Sequence, residues 1–436
     1  MLLIQNAYLI NPADSREGIC DIAIGNGRFL AIEASIPPER AAALAAGLAG
    51  DGEVQVIDAR GLTAAPGLID THSHFRDPGF TRKEDLQTGA AAAARGGYTS
   101  VILMANVKPA VDCPDAVRDI LERGRKTPVH MYTCANVTLG MQGRELADLK
   151  ALAEAGAAGF TDDGLPVLNA GLLRAALKIA GPLDLPVSLH EEDPAYIRQP
   201  GVNGGGKAAA FLGLEGAGRE AEYTMIERDL RIAIEEDAPL CIQHISSKEG
   251  VGLVREARKV NPRIHAEATP HHFSLTEEAV IRKGTLAKVN PPIRTEEDRR
   301  AIIDAIADGT IDIIATDHAP HCADEKDRPF TKAPSGMIGL ETALSLGIRE
   351  LVRPGHITMR QLLALLTCNP AAFYHLPAGS VEAGAPADLV LFDPEETWTV
   401  TGQFASKSSN SPFIGETLPG VVHYTICGGQ ITYQAD

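Results

Sequence analysis

The chain contains no run of about 20 consecutive apolar residues, the length a helix needs to cross a membrane, so its 436 residues argue against a helical membrane span. It also lacks any Cys-x-x-Cys pair. Its seven cysteines, Cys20, Cys113, Cys134, Cys241, Cys322, Cys368 and Cys427, are odd in number and scattered, which argues against a disulfide framework and against a thiolate zinc site. Free thiols in a reducing compartment are the plain reading. Cationic excess is missing as well: 40 Lys and Arg stand against 57 Asp and Glu, a formal net charge of -17. No concentrated basic face is evident, which disfavours binding to a phosphate backbone. An anionic ligand must therefore be drawn by cations within its own site. The first residues, Met1-Leu2-Leu3-Ile4-Gln5-Asn6, carry no basic segment followed by an apolar one and read as a strand, not an export signal. These absences lead to the expectation of a cytoplasmic protein with neither nucleic acid nor membrane as a partner.

With 44% hydrophobic and 22% charged residues, the composition is that of a globular chain, long enough for two structural units, one a barrel of about 250 residues or more. Between Asp70 and Asp317, short β-type runs alternate with helix-type stretches. The expected strands are Leu68 to His72, Thr99 to Met104, His130 to Ala135, Ala158 to Thr161, Pro186 to His190, Leu240 to His244, Ile264 to Ala268 and Ile311 to Thr316. Segments such as Glu84 to Arg95, Arg144 to Ala155, Gly218 to Asp237 and Glu296 to Asp308 suit amphipathic helices between them. Eight such units predict an α/β fold of the (β/α)8 TIM-barrel type. Both ends read differently, as short strands without crossover helices: Leu2 to Ile10, Ile22 to Ile24, Phe29 to Ile32 and Val54 to Asp58 at one, Asp388 to Phe392 and Val421 to Tyr433 at the other. They are expected to pair into one small β-sandwich domain. The expected division is 1-62 and 376-436 for that domain and 63-375 for the barrel. Ala41 to Gly50 reads as a solvated loop or short helix without function.

The chemistry begins where the apolar run from Pro66 meets His72-Ser73-His74. Residues two apart on a strand face the same side, so the two imidazoles can address one point, with Arg76 at the next same-face position. Asp162-Asp163, His190, His244 and Asp317 each follow another expected strand, and in a barrel those ends converge on one face. Taken singly, His190 and His244 read as satisfied core histidines and Asp317 as a helix cap. Their joint placement reverses that reading, since independent structural residues need not share one end of five strands. Four imidazoles with carboxylates and no thiolates suit zinc or another borderline divalent ion, and hold two ions if one ligand bridges. For His271 and His272, a place at the mouth of the site and a structural role stand level, whereas His130, His265, His356, His375 and His423 read as structural. Gly201-Val202-Asn203-Gly204-Gly205-Gly206-Lys207 fits the start of a phosphate-cradling G-x-x-x-x-G-K loop, but Ala208 replaces the hydroxyl residue and no strand precedes it. It reads as a mobile surface connection with room to order over a ligand.

Longer motifs surround these residues: His72-Ser73-His74-Phe75-Arg76-Asp77-Pro78-Gly79 with Lys83-Glu84-Asp85, Ala94-Arg95-Gly96-Gly97-Tyr98-Thr99, Phe160-Thr161-Asp162-Asp163-Gly164 and His244-Ile245-Ser246-Ser247-Lys248-Glu249. Further on come Pro270-His271-His272, Asn290-Pro291-Pro292-Ile293-Arg294, Ala315-Thr316-Asp317-His318-Ala319-Pro320-His321 and Gly336-Met337-Ile338-Gly339-Leu340-Glu341. Over nearly the whole length the chain resembles the dihydroorotases of the longer bacterial type, within the amidohydrolase superfamily. The superfamily is signalled by the metal motifs, the narrower likeness by Arg76, Asn106, Asn290 and the last two segments. What the resemblance implies is a pair of divalent ions, most simply Zn2+, held by His72, His74, His190, His244 and Asp317 with Asp163 bridging. It also implies substrate contacts from His74, Arg76, Asn106, Asn290 and His321, and backbone contacts from Ser335 and Gly336.

The implied reaction is the reversible cyclisation of N-carbamoyl-L-aspartate to L-dihydroorotate in pyrimidine (UMP) biosynthesis, with Asp317 as ligand and proton carrier. A homodimer, and aspartate carbamoyltransferase as a candidate partner, also follow from the likeness. Two departures stand out. Met104-Ala105-Asn106-Val107 replaces the family's usual Met-Pro-Asn-Thr, keeping the Asn in a loop expected to be looser, and the segment from Gly201 to Lys207 is richer in glycine than its usual acidic, histidine-containing counterpart. Two alternatives are a hydantoinase or allantoinase, which would not need Arg76 and Asn106, and a catalytically silent partner of aspartate carbamoyltransferase, which would be expected to lose ligands that this chain keeps.

Overall fold

The computed structural model describes residues 1–48 and 54–435. Eight parallel strands, Leu68–Ser73, Tyr98–Leu103, His130–Ala135, Gly159–Phe160, Val187–Leu189, Leu240–Ile242, Ile264–Ala268 and Ile313–Ile314, pair in sequence order around a barrel. Each overlaps an expected run. Their residues are buried on both faces almost throughout, as strands lying between a filled barrel interior and an outer layer of helices must be. The helices begin where the sequence offers caps. Asp85 opens Leu86–Arg95 by accepting from the amides of Gln87 (3.0 Å) and Thr88 (2.9 Å), and Asn169 opens Ala170–Leu183 in the same way.

The barrel closes by a different means. No ladder joins the eighth strand to the first; the chain beyond it bridges Ser73 to His318, and the amide of His74 donates to the His318 carbonyl at 2.9 Å. Behind that bridge lies Asp70, fully buried. Its carboxylate accepts from the Thr316 amide and the Thr316 hydroxyl, both at 2.7 Å, and from Ser73 Oγ. A charged seam thus fixes how far the first strand end stands from the last.

The two chain ends form one sheet of their own. The strand Leu2–Asn11 pairs antiparallel with Arg16–Gly25, which pairs with Arg28–Glu33, while Leu389–Thr399, Thr417–Cys427 and Gln430–Gln434 supply the C-terminal half. Apolar side chains of both halves meet in a shared core that includes Ile4, Ile22, Phe29, Leu389, Leu391 and Ile426. What joins the halves is a strand that the sequence reading did not separate, Thr63–Pro66, which pairs with Leu389–Thr399 and with the N-terminal strand. The chain therefore passes from this sheet to the barrel at Gly67. A Cβ there would lie 2.1 Å from the Thr99 hydroxyl, so only glycine permits so close an approach. The segment read as loop or short helix, Ala41 to Gly50, overlaps the end of the helix Pro38–Ala46, and its last residues, 49 and 50, lie outside the described residues.

The glycine-rich segment is pinned where mobility was expected. Its backbone is fastened to Ala217 through Ala217 N–H to Val202 O (2.9 Å) and Gly204 N–H to Ala217 O (2.8 Å). The Asn203 side chain accepts from Arg294 at 3.1 Å and donates to Glu277 at 3.4 Å. Tethering from inside, by residues remote in sequence, leaves no local signal.

The barrel seam is testable. Replacing Asp70 by Ala leaves the amide and hydroxyl of Thr316 buried without an acceptor, at about 1–3 kcal/mol for each unpaired group. Denaturant unfolding should show a loss of that order; an unchanged midpoint would show that the seam does not depend on Asp70.

Candidate active site

At the C-terminal ends of the strands the side chains converge. Asp163 lies at the centre: its Oδ1 is 3.3 Å from His72 Nε2, 3.5 Å from His244 Nε2 and 3.7 Å from His190 Nδ1, and its Oδ2 is 3.3 Å from His74 Nε2. Asp317 Oδ1 stands 3.0 Å from His74 Nε2 and 3.6 Å from His72 Nε2. The nearest approach of His190 Nδ1 to His244 Nε2 is 3.1 Å. These separations match the edges, about 3.4 Å, of a tetrahedron of ligands each about 2.1 Å from a central ion. Two groups result that share His72, one of His72, His74 and Asp317, the other of His72, Asp163 and His244, with His190 beside the second. His72 Nε2 and Asp163 Oδ1 are buried and make no hydrogen bond, the condition of donors directed at a shared centre. The residues present fit a pair of divalent ions.

Other side chains fix the imidazoles from behind. His72 Nδ1 faces Glu267 Oε2 at 3.2 Å, with Glu267 Oε1 accepting from Thr71 Oγ1 at 2.6 Å. His74 Nδ1 faces Asn106 Oδ1 at 2.9 Å and His190 Nε2 faces Glu192 Oε2 at 3.1 Å. Such partners set ring orientation and make the inner nitrogen a better donor. Glu192 and Glu267 escaped the sequence reading. The only available signal for Glu192 was its place two residues after His190.

Electrostatics follow from this packing. Burial works to raise the Asp163 and Asp317 carboxyls, but the surrounding imidazoles outweigh it and hold both below the usual carboxylate range. Backbone strain is present here too: Arg76 (φ 58°), His244 (φ 31°) and Asp317 (φ 46°) all occupy the left-handed region, where a residue with a Cβ stays only if its surroundings impose it.

A cavity of about 170 Å³ opens over the cluster, lined by His74, Arg76, Asn106, Asp163, His190, His244, Asn290, Asp317, His321, Ser335 and Gly336, with Gly164 and Ala319. His72 lies beneath it, fully buried. Arg76 reaches the cavity with Nε donating to Pro320 O at 3.4 Å, and among the described residues no carboxylate stands within 4.0 Å of its guanidinium. Asn106 is held at both ends of its amide, since Nδ2 also donates to the Asp163 carbonyl at 3.1 Å. His321 Nε2–H donates to Ser335 O at 2.8 Å, leaving Nδ1 to face Lys83 Nζ at 3.3 Å. Burial, with the cations of Arg76, Lys83 and Lys326 nearby, pushes the His321 imidazole down to about 2, so it is neutral at ordinary pH. Asn290 Oδ1 accepts from Ser335 Oγ at 3.0 Å. Asn410, unforeseen, comes from the C-terminal region to accept from the His321 amide (3.0 Å) and donate to the carbonyls of Ala319 (3.0 Å) and Gly336 (3.1 Å).

Some neighbours stay outside. Asp162 accepts from the Val137 amide at 3.0 Å and the Thr138 hydroxyl and amide, so it braces a loop while Asp163 enters the cluster. His272 is a latch, its Nε2–H donating to Pro291 O at 3.0 Å. His271 is buried beside it and does not line the cavity.

Residues 63–432 match the model of the amidohydrolase family. The chain is 49% identical over 435 residues to a dihydroorotase of Clostridium acetobutylicum, covering 100% of both chains. It is 48% identical to one of Clostridioides difficile with the same coverage, and 46% identical to one of Lactococcus lactis over 100% of this chain and 99% of the relative. The chain belongs to the amidohydrolase family. Among solved structures, the L-hydantoinase of Arthrobacter aurescens superposes with a TM-score of 0.85 at 23% identity, over 99% of this amidohydrolase and 95% of that chain. The dihydropyrimidinase of Brevibacillus agri gives 0.81 at 22% identity, over 98% and 94%. At that identity the superpositions describe the shared barrel and say nothing of substrate.

Proposed function

We propose that this amidohydrolase is a dihydroorotase, catalysing the reversible cyclisation of N-carbamoyl-L-aspartate to L-dihydroorotate, and that His72, His74, Asp163, His190, His244 and Asp317 hold two divalent ions, with zinc the ion that this nitrogen and oxygen donor set favours. The observation that carries the substrate assignment is the guanidinium of Arg76, placed in the cavity beside the cluster without a carboxylate of its own. A cation left unpaired in a pocket is completed by an anionic ligand, and a guanidinium binds a carboxylate with two parallel hydrogen bonds. The full-length relatives named as dihydroorotases support the same assignment. A hydantoin or other neutral cyclic amide has no carboxylate to offer Arg76.

When bound, the ions would polarise the ring carbonyl and lower the pKa of water toward neutrality. The residues of the chain do the rest. Arg76 binds the free carboxylate of the substrate and, with Asn290 and the Ser335–Gly336 backbone, fixes the ring over the cluster. Asn106 holds the His74 ring in place and closes the cavity beside the Asp163 carbonyl. Asp317 takes the proton from water in the hydrolytic direction and delivers it to the departing ring nitrogen; in the synthetic direction it removes the proton from the carbamoyl nitrogen. Neutral His321 keeps a lone pair toward Lys83 and orders the Ser335 carbonyl. No described helix is long and apolar enough to cross a membrane and the seven cysteines are free, which supports the cytoplasm as the place of action.

Metal analysis of the purified protein should give about two divalent ions per chain, and chelation should abolish dihydroorotate hydrolysis until metal is restored. Full activity in a thoroughly metal-free preparation would overturn the assignment of the cluster. Asp317→Asn should lower turnover by about 100-fold or more, the scale of a lost general base; near-normal turnover would mean that another group moves the proton. Arg76→Lys should keep the metals and reduce kcat/KM for dihydroorotate, because the bidentate geometry is lost. Hydantoin turnover, where measurable, should change far less, and equal losses on both substrates would remove the carboxylate role.

A further inference from the structure

Two lysines behind the wall of this cavity, outside its lining, are more deeply buried than any other ammonium groups in the site region. Lys288 is 2% exposed and Lys326 3%. Neither has a carboxylate within 4.0 Å among the described residues. Instead each spends two hydrogen bonds on backbone carbonyls of one irregular segment: Lys288 Nζ donates to Phe330 O and Ala333 O, both at 2.7 Å, and Lys326 Nζ to Pro334 O at 3.0 Å and Gly336 O at 2.9 Å. The segment between the helices Ala323–Lys326 and Ala343–Gly347 contains no strand or helix of its own, yet it carries Ser335 and Gly336 into the cavity.

We infer that Lys288 and Lys326 are positioning residues, a pair of cationic clamps that set the shape of the pocket wall formed by Ser335 and Gly336, and hence the binding of substrate. The inference rests on the dihydroorotase reading for its substrate, but its geometry is independent of it. Water could satisfy carbonyl groups in a loop without the desolvation that burying an ammonium entails. That desolvation is evident here, since burial pulls Lys288 down to about 8 and Lys326 to about 7. What the ammonium adds is a charge-assisted bond on a tether anchored elsewhere in the fold. Lys288 also accepts the Gly336 amide at its own carbonyl, at 2.8 Å, so one residue holds the wall at three points. The pinned glycine-rich segment rests on the same side chain: a Cβ on Gly201 would fall 2.4 Å from Lys288 Cγ and 3.1 Å from Ser335 Oγ. Asn410 completes the frame at the Gly336 carbonyl.

The test is steady-state hydrolysis of L-dihydroorotate by the metal-loaded wild type, Lys288→Met and Lys326→Met, with metal content measured on the same samples. The clamp predicts full metal content and a KM raised by about ten-fold or more, with a smaller change in kcat, because the metal ligands and Asp317 are untouched. A purely structural role would reduce the active fraction, lowering apparent kcat and leaving KM in place. Folded, metal-loaded variants with KM within about two-fold of wild type would overturn the inference. Hydrogen exchange of the wild-type metal-loaded protein gives a second reading that needs no variant. Peptides spanning residues 329–337 should exchange as slowly as the barrel strands although they lack regular structure, and exchange at the rate of an exposed loop would also overturn it. Absence of dihydroorotate turnover by the wild type would count against the assigned reaction, and the exchange result would then decide the clamp.

Discussion

The carboxylate of Asp163, buried among four imidazoles at 3.3–3.7 Å, is the constraint around which the catalytic face is arranged. An isolated carboxylate at that depth would be protonated or expelled; this one is held ionised by imidazoles that surround it from three other strand ends. For that to hold, the strand ends must keep their separations to a fraction of an ångström. The Asp70–Thr316 seam sets the distance between the first and last strands, and the left-handed residues Arg76, His244 and Asp317 aim side chains that a relaxed backbone would turn elsewhere. Stability and function are thereby coupled. The barrel tolerates charged side chains in its interior because they complete one another, and a bound ion pair would complete them further.

Much of this was legible in the sequence because the signals were local. Short β-type runs alternating with helical stretches identified the strands, the His and Asp residues at five of their ends identified the face on which they converge, and His72 with His74 needed only the two-residue period of a strand. The choice between Asp162 and Asp163 was not decided by the residues themselves, since adjacent aspartates at a strand end are equivalent until the loop from Asn136 to Thr138 is seen to claim the first. The strand Thr63–Pro66 was merged with the barrel run that follows it, because both are apolar and only pairing partners far along the chain separate them. Glu267, Lys288, Lys326 and Asn410 were silent for the same reason. Each acts through a side chain or carbonyl remote in sequence or on an irregular segment, and a buried charge on its own looks like a surface charge in sequence.

The superpositions on a hydantoinase and a dihydropyrimidinase at 22–23% identity show that sequences this different satisfy one fold. Barrel geometry depends on volume and periodicity, which many sequences satisfy, and the donor cluster depends on strand ends that the geometry supplies. Substrate choice rests on few atoms above the cluster. In this chain those atoms are dominated by one unpaired guanidinium, and a charge of that kind discriminates by what it leaves unsatisfied as much as by what it binds.

A net charge of -17 sits oddly with an anionic substrate until the distances are considered. Surface carboxylates more than about 8–10 Å from the cavity are largely screened at physiological ionic strength. Inside that radius the balance is different. Asp163, Asp317, Glu192 and Glu267 are committed to the imidazole cluster and Lys83 is paired with Glu325 at 3.0 Å, whereas Arg76 faces the cavity unpaired. On the His321 imidazole Lys326 adds a push in the same direction as burial, Arg76 and Lys83, and a smaller one. The clamps proposed for the wall thus contribute the same sign of charge as Arg76, the residue proposed to bind the substrate. Shape and field in the pocket therefore have a common origin, and replacing a clamp lysine by a neutral side chain disturbs both together.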